Sequence, residues 1–205
     1  IRILAVERFD RLKASDGRLL RIPQEDFCQA LSVPSTRKYN NDGGPGIREC
    51  LGLLAGSDYA EEDRLAFLKA QIVFWLIGAT DGHAKNFSLF LTPGGRYRMA
   101  PLYDIMSLQP NYAAKQLRRK EFRLSMAVGD NRYYAMESIL PYHFLEDAKA
   151  AGMAQDRVRS LFGSLGETIE GALERTAAIM PDDFPKLLVE RIGHAMRKRS
   201  ARLLT

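Results

Sequence analysis

Asp81 and Asn86 stand five residues apart in Gly78-Ala79-Thr80-Asp81-Gly82-His83-Ala84-Lys85-Asn86, and a second acid follows in Leu102-Tyr103-Asp104-Ile105. These residue types suit phosphoryl transfer, which asks a protein for placement and charge neutralisation more than for covalent chemistry. Asp81 would orient an acceptor hydroxyl or take its proton. Magnesium takes hard oxygen ligands, several of them from nucleotide phosphates. The Asn86 amide oxygen and the Asp104 carboxylate would supply two more. Lys85 is spaced to face phosphates, and His83 to hydrogen-bond the loop backbone or a phosphate oxygen. The same residues have a blander reading, because Asp and Asn are common turn formers and a lone D-x4-N arises often by chance.

The surrounding elements decide how much weight the spacing carries. Before the loop, Leu65, Leu68, Ile72, Trp75 and Leu76 recur at helical intervals and predict a helix over 61–78, with Ser57 or Asp58 as its cap. After it, 86–92 and 96–100 flank Pro93-Gly94-Gly95 and predict a β-hairpin. Helix, D-x4-N loop, hairpin, then Asp is the order of protein-kinase-like catalytic lobes, and the hairpin would hold the two metal ligands at a fixed separation.

The rest of the chain reads as support. Residues 1–9 read as an edge or final strand of a sheet, and 19–22 as its return strand after a turn at Ser15-Asp16-Gly17-Arg18. Pro23 opens a predicted short helix over 24–31, and Gly46 leads into another over 47–55. A further extended stretch, 122–128, ends at Gly129-Asp130-Asn131. Helices follow over 141–151, 155–180 and 183–204, and the Arg197-Lys198-Arg199 cluster in the last is read as a solvated face. The expected fold is therefore mainly α with a small inserted β-hairpin, a protein-kinase-like C-lobe preceded by a stub of the N-lobe hinge strand. Residues 1–22 would form the hinge strand and the end of a nucleotide-binding lobe. Residues 23–205 would form the helical catalytic lobe, with its catalytic loop at 78–88 and its metal-binding segment at 101–106.

Bulk properties exclude several classes. Apolar residues make up 46% and charged residues 27%, a balance that builds a core rather than a disordered chain. No apolar run reaches the ~20 residues that span a bilayer, so no membrane role is expected. The two cysteines, Cys28 and Cys50, form no C-x-x-C and suit a reducing cytoplasm. The net charge of +5 tolerates phosphates, nucleotides or nucleic acid without selecting among them. The chain opens on Ile1, and the expectation is that its numbering starts inside a longer protein.

At the catalytic loop the match becomes specific to one family. Residues 77–88 and Tyr97-Arg98-Met99-Ala100-Pro101-Leu102-Tyr103-Asp104-Ile105 closely resemble the HipA family of bacterial toxin kinases. The resemblance continues through Val6-Glu7-Arg8-Phe9-Asp10-Arg11, Pro23-Gln24-Glu25-Asp26, Lys38-Tyr39 and Asp42-Gly43-Gly44-Pro45-Gly46, and weakly through 141–144 and 182–185. It implies a serine/threonine kinase that uses ATP and Mg2+ with Asp81 as catalytic aspartate. His83, Ala84, Lys85, Asn86 and Tyr103 fall in the nucleotide-contacting blocks, with Asn86 and Asp104 as metal ligands. Glu7, Arg8 and Phe9 match the hinge that holds the adenine edge. By the same resemblance the substrate is an aminoacyl-tRNA synthetase, the outcome growth arrest and persistence, and the partner a helix-turn-helix antitoxin, HipB, seated on operator DNA. Of a basic pair that contacts DNA, Lys149 matches one member, while Gly152 stands at the other. The family's glycine-rich phosphate loop and ATP-pairing lysine would lie upstream of Ile1, so weak ATP binding is expected of this polypeptide alone.

Two other classes stay open on the residues. One is a non-catalytic module that docks an antitoxin or DNA and keeps the motif for structure. The other is a metal-dependent hydrolase using His83, Asp81 and Asp104, the weakest of the three. The only histidines are His83, His143 and His194, and none pairs at ligand spacing.

Overall fold

A computed structural model describes residues 3 and 5–203. The first regular element is an antiparallel hairpin of β1 (Arg11–Lys13) and β2 (Leu19–Arg21), in register Leu12↔Leu20. Its turn closes where the sequence indicated, with Arg18 N–H donating to Asp16 Oδ1 at 3.0 Å. The expected strand over 1–9 is displaced. Residues 1, 2 and 4 lie outside the described residues, and 5–8 carry no strand. A strand needs a neighbour for its backbone groups; here the turn gives one to 11–13 instead.

The helix expected from Gln24 also differs. Gln24–Asp26 form β3, paired antiparallel with β4 (Ser88–Thr92), and β4 pairs with β5 (Arg96–Met99), giving the order β3-β4-β5. The helix α1 covers only Phe27–Ala30. Asp26 explains the boundary. Its carboxylate accepts from Gln29 N–H and the Gln29 side chain accepts from Asp26 N–H, both at 2.9 Å, a capping box that ends the strand and starts the helix.

Two helices follow, α2 (Ile47–Leu54) and α3 (Ala60–Ile77). Tyr59 is the cap residue of α3, but Ser57 still serves its first turn, bonding the Asp63 carboxylate. The apolar face of α3 wraps most of the helix, which is how a core helix reads. Phe67, Leu68, Ile72, Phe74, Trp75 and Leu76 are all buried. Phe27, Phe67 and Phe87 meet in one aromatic cluster with ring centroids 4.8–5.8 Å apart, and Trp75 Nε1 donates to Met136 O at 3.0 Å.

Beyond the three-stranded sheet come α4 (Gln109–Ala113) and a second hairpin of β6 (Arg123–Val128) and β7 (Tyr133–Ala135). The helices α5 (Pro141–Ala150), α6 (Gln155–Ile179) and α7 (Lys186–Ser200) complete the chain. Sequence reading missed α4 and β7, both too short to establish a period. It also misjudged Arg199, which is not a solvated charge. Its guanidinium donates to Leu76 O at 2.9 Å and to Gln109 Oε1 at 2.8 Å, and burial pulls its pKa down to about 10. The architecture is thus mainly helical with small sheets. Among the described residues no helix is long and apolar enough to cross a membrane.

Candidate active site

The site begins where α3 ends. Gly78 caps the helix in the left-handed region at φ +71, and a Cβ there would stand 2.7 Å from Phe122 Cζ. The last carbonyls of α3 need partners, and later parts of the chain supply them. Ile77 O accepts from Ser107 Oγ at 2.5 Å and Gly78 O from Leu108 N–H at 2.9 Å, while Ala79 and Ser107 form an isolated antiparallel bridge. The chain entering the Asp81 loop is therefore stitched beside the chain leaving Asp104.

The loop is closed by its own backbone and by Asn86. His83 N–H donates to Asp81 O at 2.9 Å, and Asn86 Nδ2 donates to the same carbonyl at 2.8 Å. This is the physical content of the D-x4-N spacing: the amide nitrogen is spent on the aspartate's carbonyl, and the amide oxygen stays free. Gly82 lies against Phe74, where a Cβ would come within 2.4 Å of the ring. Thr80 O accepts from Ser125 Oγ at 2.6 Å, which fixes the loop to β6.

The two acids differ in their surroundings. The Asp81 carboxylate is half-exposed; its Oδ1 accepts from the Tyr39 hydroxyl at 3.1 Å and lies 3.8 Å from His83 Nε2. Asp104 is exposed, takes φ +56, and its carboxylate has no hydrogen bond or ion pair among the described residues. Positive φ in a residue with a Cβ costs energy, and such strain clusters at functional sites. His83 is 3% exposed, with Nδ1 unpartnered. Burial pulls its pKa down against the opposing fields of Asp81 and Asp104, so the imidazole is neutral at neutral pH. The backbone brings the two acids' segments side by side, through the Ala79–Ser107 bridge and the Leu108–Gly78 hydrogen bond.

The donor set can be tested against Mg2+ directly. No cluster of three or more His, Cys, Asp or Glu suited to a metal occurs among the described residues. At the loop Asp104 offers a carboxylate and Asn86 an amide oxygen, neither of them hydrogen-bonded among the described residues. That matches an ion held by few protein oxygens and completed by phosphates and water, and it does not match a zinc site.

The remaining sequence candidates are distributed as follows. Glu7, Arg8 and Phe9 line a cavity of about 370 Å³ with Val6, Asp10, Gln24 and Tyr103. Phe9 packs against Phe90 and Tyr103 with centroids 5.8 Å away in each case. Buried Asp10 holds Arg8 and Arg11, whose hydrogen bonds keep its carboxyl down at about 2. Tyr103 joins this cavity to the loop, since its hydroxyl donates to Lys85 O at 2.9 Å and lies 2.6 Å from Ser88 Oγ. Lys85 is engaged by Asp26 Oδ2 at 2.8 Å, so its ammonium faces the β3–α1 junction. Ala84 is fully buried and presents no side-chain surface to a ligand. Lys149 sits exposed in the last turn of α5, outside the elements that build the cluster. Sequence reading gave no site role to Tyr39 or Ser88, and read Asp26 as part of a helical first turn. Tyr39 is 42 residues from Asp81, and no local spacing connects them.

A strained, unengaged acid and a held one thus stand on a helical lobe with a small sheet. The profile of the HipA-like C-terminal domain matches residues 1–173, and the chain belongs to that family. Y4mE of Sinorhizobium fredii, a protein named as a kinase, is 36% identical over 186 residues, covering 87% of this chain and 42% of its own. The serine/threonine-protein kinase toxin HipA of Shewanella oneidensis is 28% identical over 191 residues, with the same coverage of 87% and 42%. The chain thus spans less than half the length of these relatives. Among solved structures, the Shewanella oneidensis complex of HipA, HipB and operator DNA matches with a TM-score of 0.83 at 24% identity, covering 97% of this chain and 48% of that one. At that identity the match speaks to the fold.

Proposed function

We propose that this chain is the C-terminal catalytic lobe of a HipA-like kinase, which transfers the γ-phosphate of Mg-ATP to a serine or threonine hydroxyl of a protein. The observation that carries the reading is the stitching of the loop of a held Asp81 to the chain leaving an unengaged Asp104, through the Ala79–Ser107 bridge and the Leu108–Gly78 hydrogen bond, with Asn86 tied to the Asp81 carbonyl. In this reading residues 1–22 end the nucleotide-binding lobe and 23–205 form the catalytic lobe, with the kinase-like C-lobe organisation the element order suggests. Asp81 orients the acceptor hydroxyl and takes its proton as transfer proceeds. Asn86 and Asp104 hold Mg2+, and the bound ion supplies charge neutralisation on the transferring group. Glu7, Arg8, Phe9 and Tyr103 enclose the adenine end, and buried neutral His83 keeps water and positive charge away from the back of Asp81.

The partners follow from the family. A HipB-like antitoxin is expected to restrain the kinase and carry it to operator DNA, since the matching Shewanella structure is described as HipA, HipB and operator DNA together. An aminoacyl-tRNA synthetase is the expected acceptor protein and growth arrest the consequence, in the bacterial cytoplasm. The test is phosphate transfer from γ-labelled ATP by the full-length protein. Asp81→Asn should lower the rate by about 10²–10⁴-fold, and Asp104→Asn should abolish the Mg2+ dependence along with the activity, each with an unchanged circular-dichroism spectrum. Transfer at the normal rate by the folded Asp81→Asn protein would refute the assignment. Antitoxin or DNA binding with no nucleotide signal would favour a docking module instead.

A further inference from the structure

We propose that Tyr39 is the positioning residue of the acceptor side: its hydroxyl holds one oxygen of Asp81 so that the other faces the incoming hydroxyl. The inference rests on the kinase reading and goes beyond it, because a general base works only if its oxygen is aimed. Asp81 needs aiming. Its side chain is 50% exposed and stands on a loop, where nothing in the backbone fixes its torsions. Tyr39 makes the one side-chain hydrogen bond to this carboxylate among the described residues, at 3.1 Å. His83 cannot substitute, since 3.8 Å is beyond hydrogen-bond range. Both contacts fall on Oδ1, which leaves Oδ2 open for the acceptor.

Tyr39 is itself held. Its carbonyl accepts from Asp42 N–H at 3.0 Å and from Gly44 N–H at 2.9 Å. Its ring meets His83 edge-on at 5.1 Å, and the Lys38 ammonium lies 5.0 Å from the ring centre. The next residue, Asn40, is buried and bonded to Gly44 O, Ala127 N–H and the Tyr134 hydroxyl. The phenol is thus presented by a loop already ordered against β6, which is what preorganised support requires. On the same side a polar cavity of about 320 Å³ is lined by Tyr39, Asn41, Asp42, Thr80, Glu121 and Ser125 among others. Its lining by Tyr39 and Thr80 brings the cavity to the loop of Asp81, where an acceptor segment would have room.

The test uses the full-length protein, γ-labelled ATP and a degenerate serine/threonine peptide pool. Tyr39→Phe should lower kcat about tenfold, with the KM for Mg-ATP within twofold of wild type and the melting temperature unchanged. A merely structural tyrosine would move stability or both kinetic constants together. Wild-type kcat in Tyr39→Phe alongside an inactive Asp81→Asn overturns this inference and leaves the kinase reading standing; a fully active Asp81→Asn removes both. Phosphate found on Tyr39 itself by mass spectrometry would make it an acceptor and overturn the positioning role. A crystal structure of Tyr39→Phe gives a readout independent of turnover. The Asp81 carboxylate should occupy more than one rotamer, and a single unchanged rotamer overturns the proposal.

Discussion

Asn40 ties the loop that carries Tyr39 to the β6–β7 hairpin, and its loss should destabilise the fold. Its Oδ1 accepts from Ala127 N–H at 3.2 Å, Arg132 Nη2 at 3.2 Å and the Tyr134 hydroxyl at 3.1 Å, and its Nδ2 donates to Gly44 O at 2.9 Å. Arg132 and Tyr134 can turn to water when the amide is removed. Ala127 N–H and Gly44 O belong to buried residues and cannot. Orphaning a buried polar group costs about 1–3 kcal/mol, so Asn40→Ala should cost about 2–5 kcal/mol. A urea m-value of about 2–3 kcal/mol per molar then places the midpoint about 1–2 M lower, at unchanged m. Asn40→Asp is the informative partner. It keeps an acceptor for Ala127 but sets oxygen against the Gly44 carbonyl, so its loss should be intermediate at neutral pH. Equilibrium urea unfolding followed by circular dichroism measures both. A midpoint shift below about 0.3 M for Asn40→Ala would show that the loop carrying Tyr39 is not held this way.

Two further outcomes follow from buried charge. Arg48 bridges α2 to the β6–β7 turn and α5, donating to Asp130 Oδ1 and Asp147 Oδ1, each at 2.6 Å. Arg48→Met should cost about 2–3 kcal/mol in urea unfolding, below the ~3–5 of a fully buried pair because Arg48 is partly exposed; a loss under about 0.5 kcal/mol would mean that Asp147 relaxes to solvent. Burial also holds His83 and His143 below the usual histidine value of 6.5, against the attraction of Asp81 and Asp104 for the first and of Glu146 and Asp147 for the second. The unfolded chain therefore binds protons first, so stability should be level above pH about 6.5 and fall as pH drops below it. The paired carboxylates of Asp10 and Glu121 titrate lower, at about 2 in the fold, while burial raises Asp147 and so opposes the histidines as pH falls, which makes an Asp147→Asn background the one in which the histidine slope is read. A melting temperature that stays flat between about pH 5 and 6.5 in that background would contradict the neutral, buried state of both rings.

The long elements were legible because periodicity is a property of many residues at once. The helix at Ala60–Ile77 and the hairpin around Pro93-Gly94-Gly95 were expected within a residue or two. Short elements were not, because three or four residues establish no period. Gln24–Asp26 reads as a helical first turn by its acids, yet the partner strand β4, 62 or more residues later, claims its backbone. The site divides in the same way. Asp81, Asn86 and Asp104 announced themselves by local order, while Tyr39 touches Asp81 only through tertiary packing. Arg199 looked like one of several cations at a helix end, and only the fold reveals that it caps α3.

The fold treats its two acids oppositely, and the asymmetry has a chemical reason. In the proposed kinase reading Asp81 would be aimed before any ligand arrives, since an acceptor hydroxyl brings only a weak dipole with which to orient a carboxylate. Its loop is accordingly tied by Asn86, by Ser125 and, through Tyr39, to the Asn40 network. In the same reading Asp104 would meet a divalent cation, whose field can turn a carboxylate by itself. Any hydrogen bond or ion pair made beforehand would have to be broken when the ion bound. The fold accordingly fixes only the Asp104 backbone neighbourhood, through the Ala79–Ser107 bridge and the Leu108–Gly78 hydrogen bond, and leaves the side chain unengaged at a strained φ of +56.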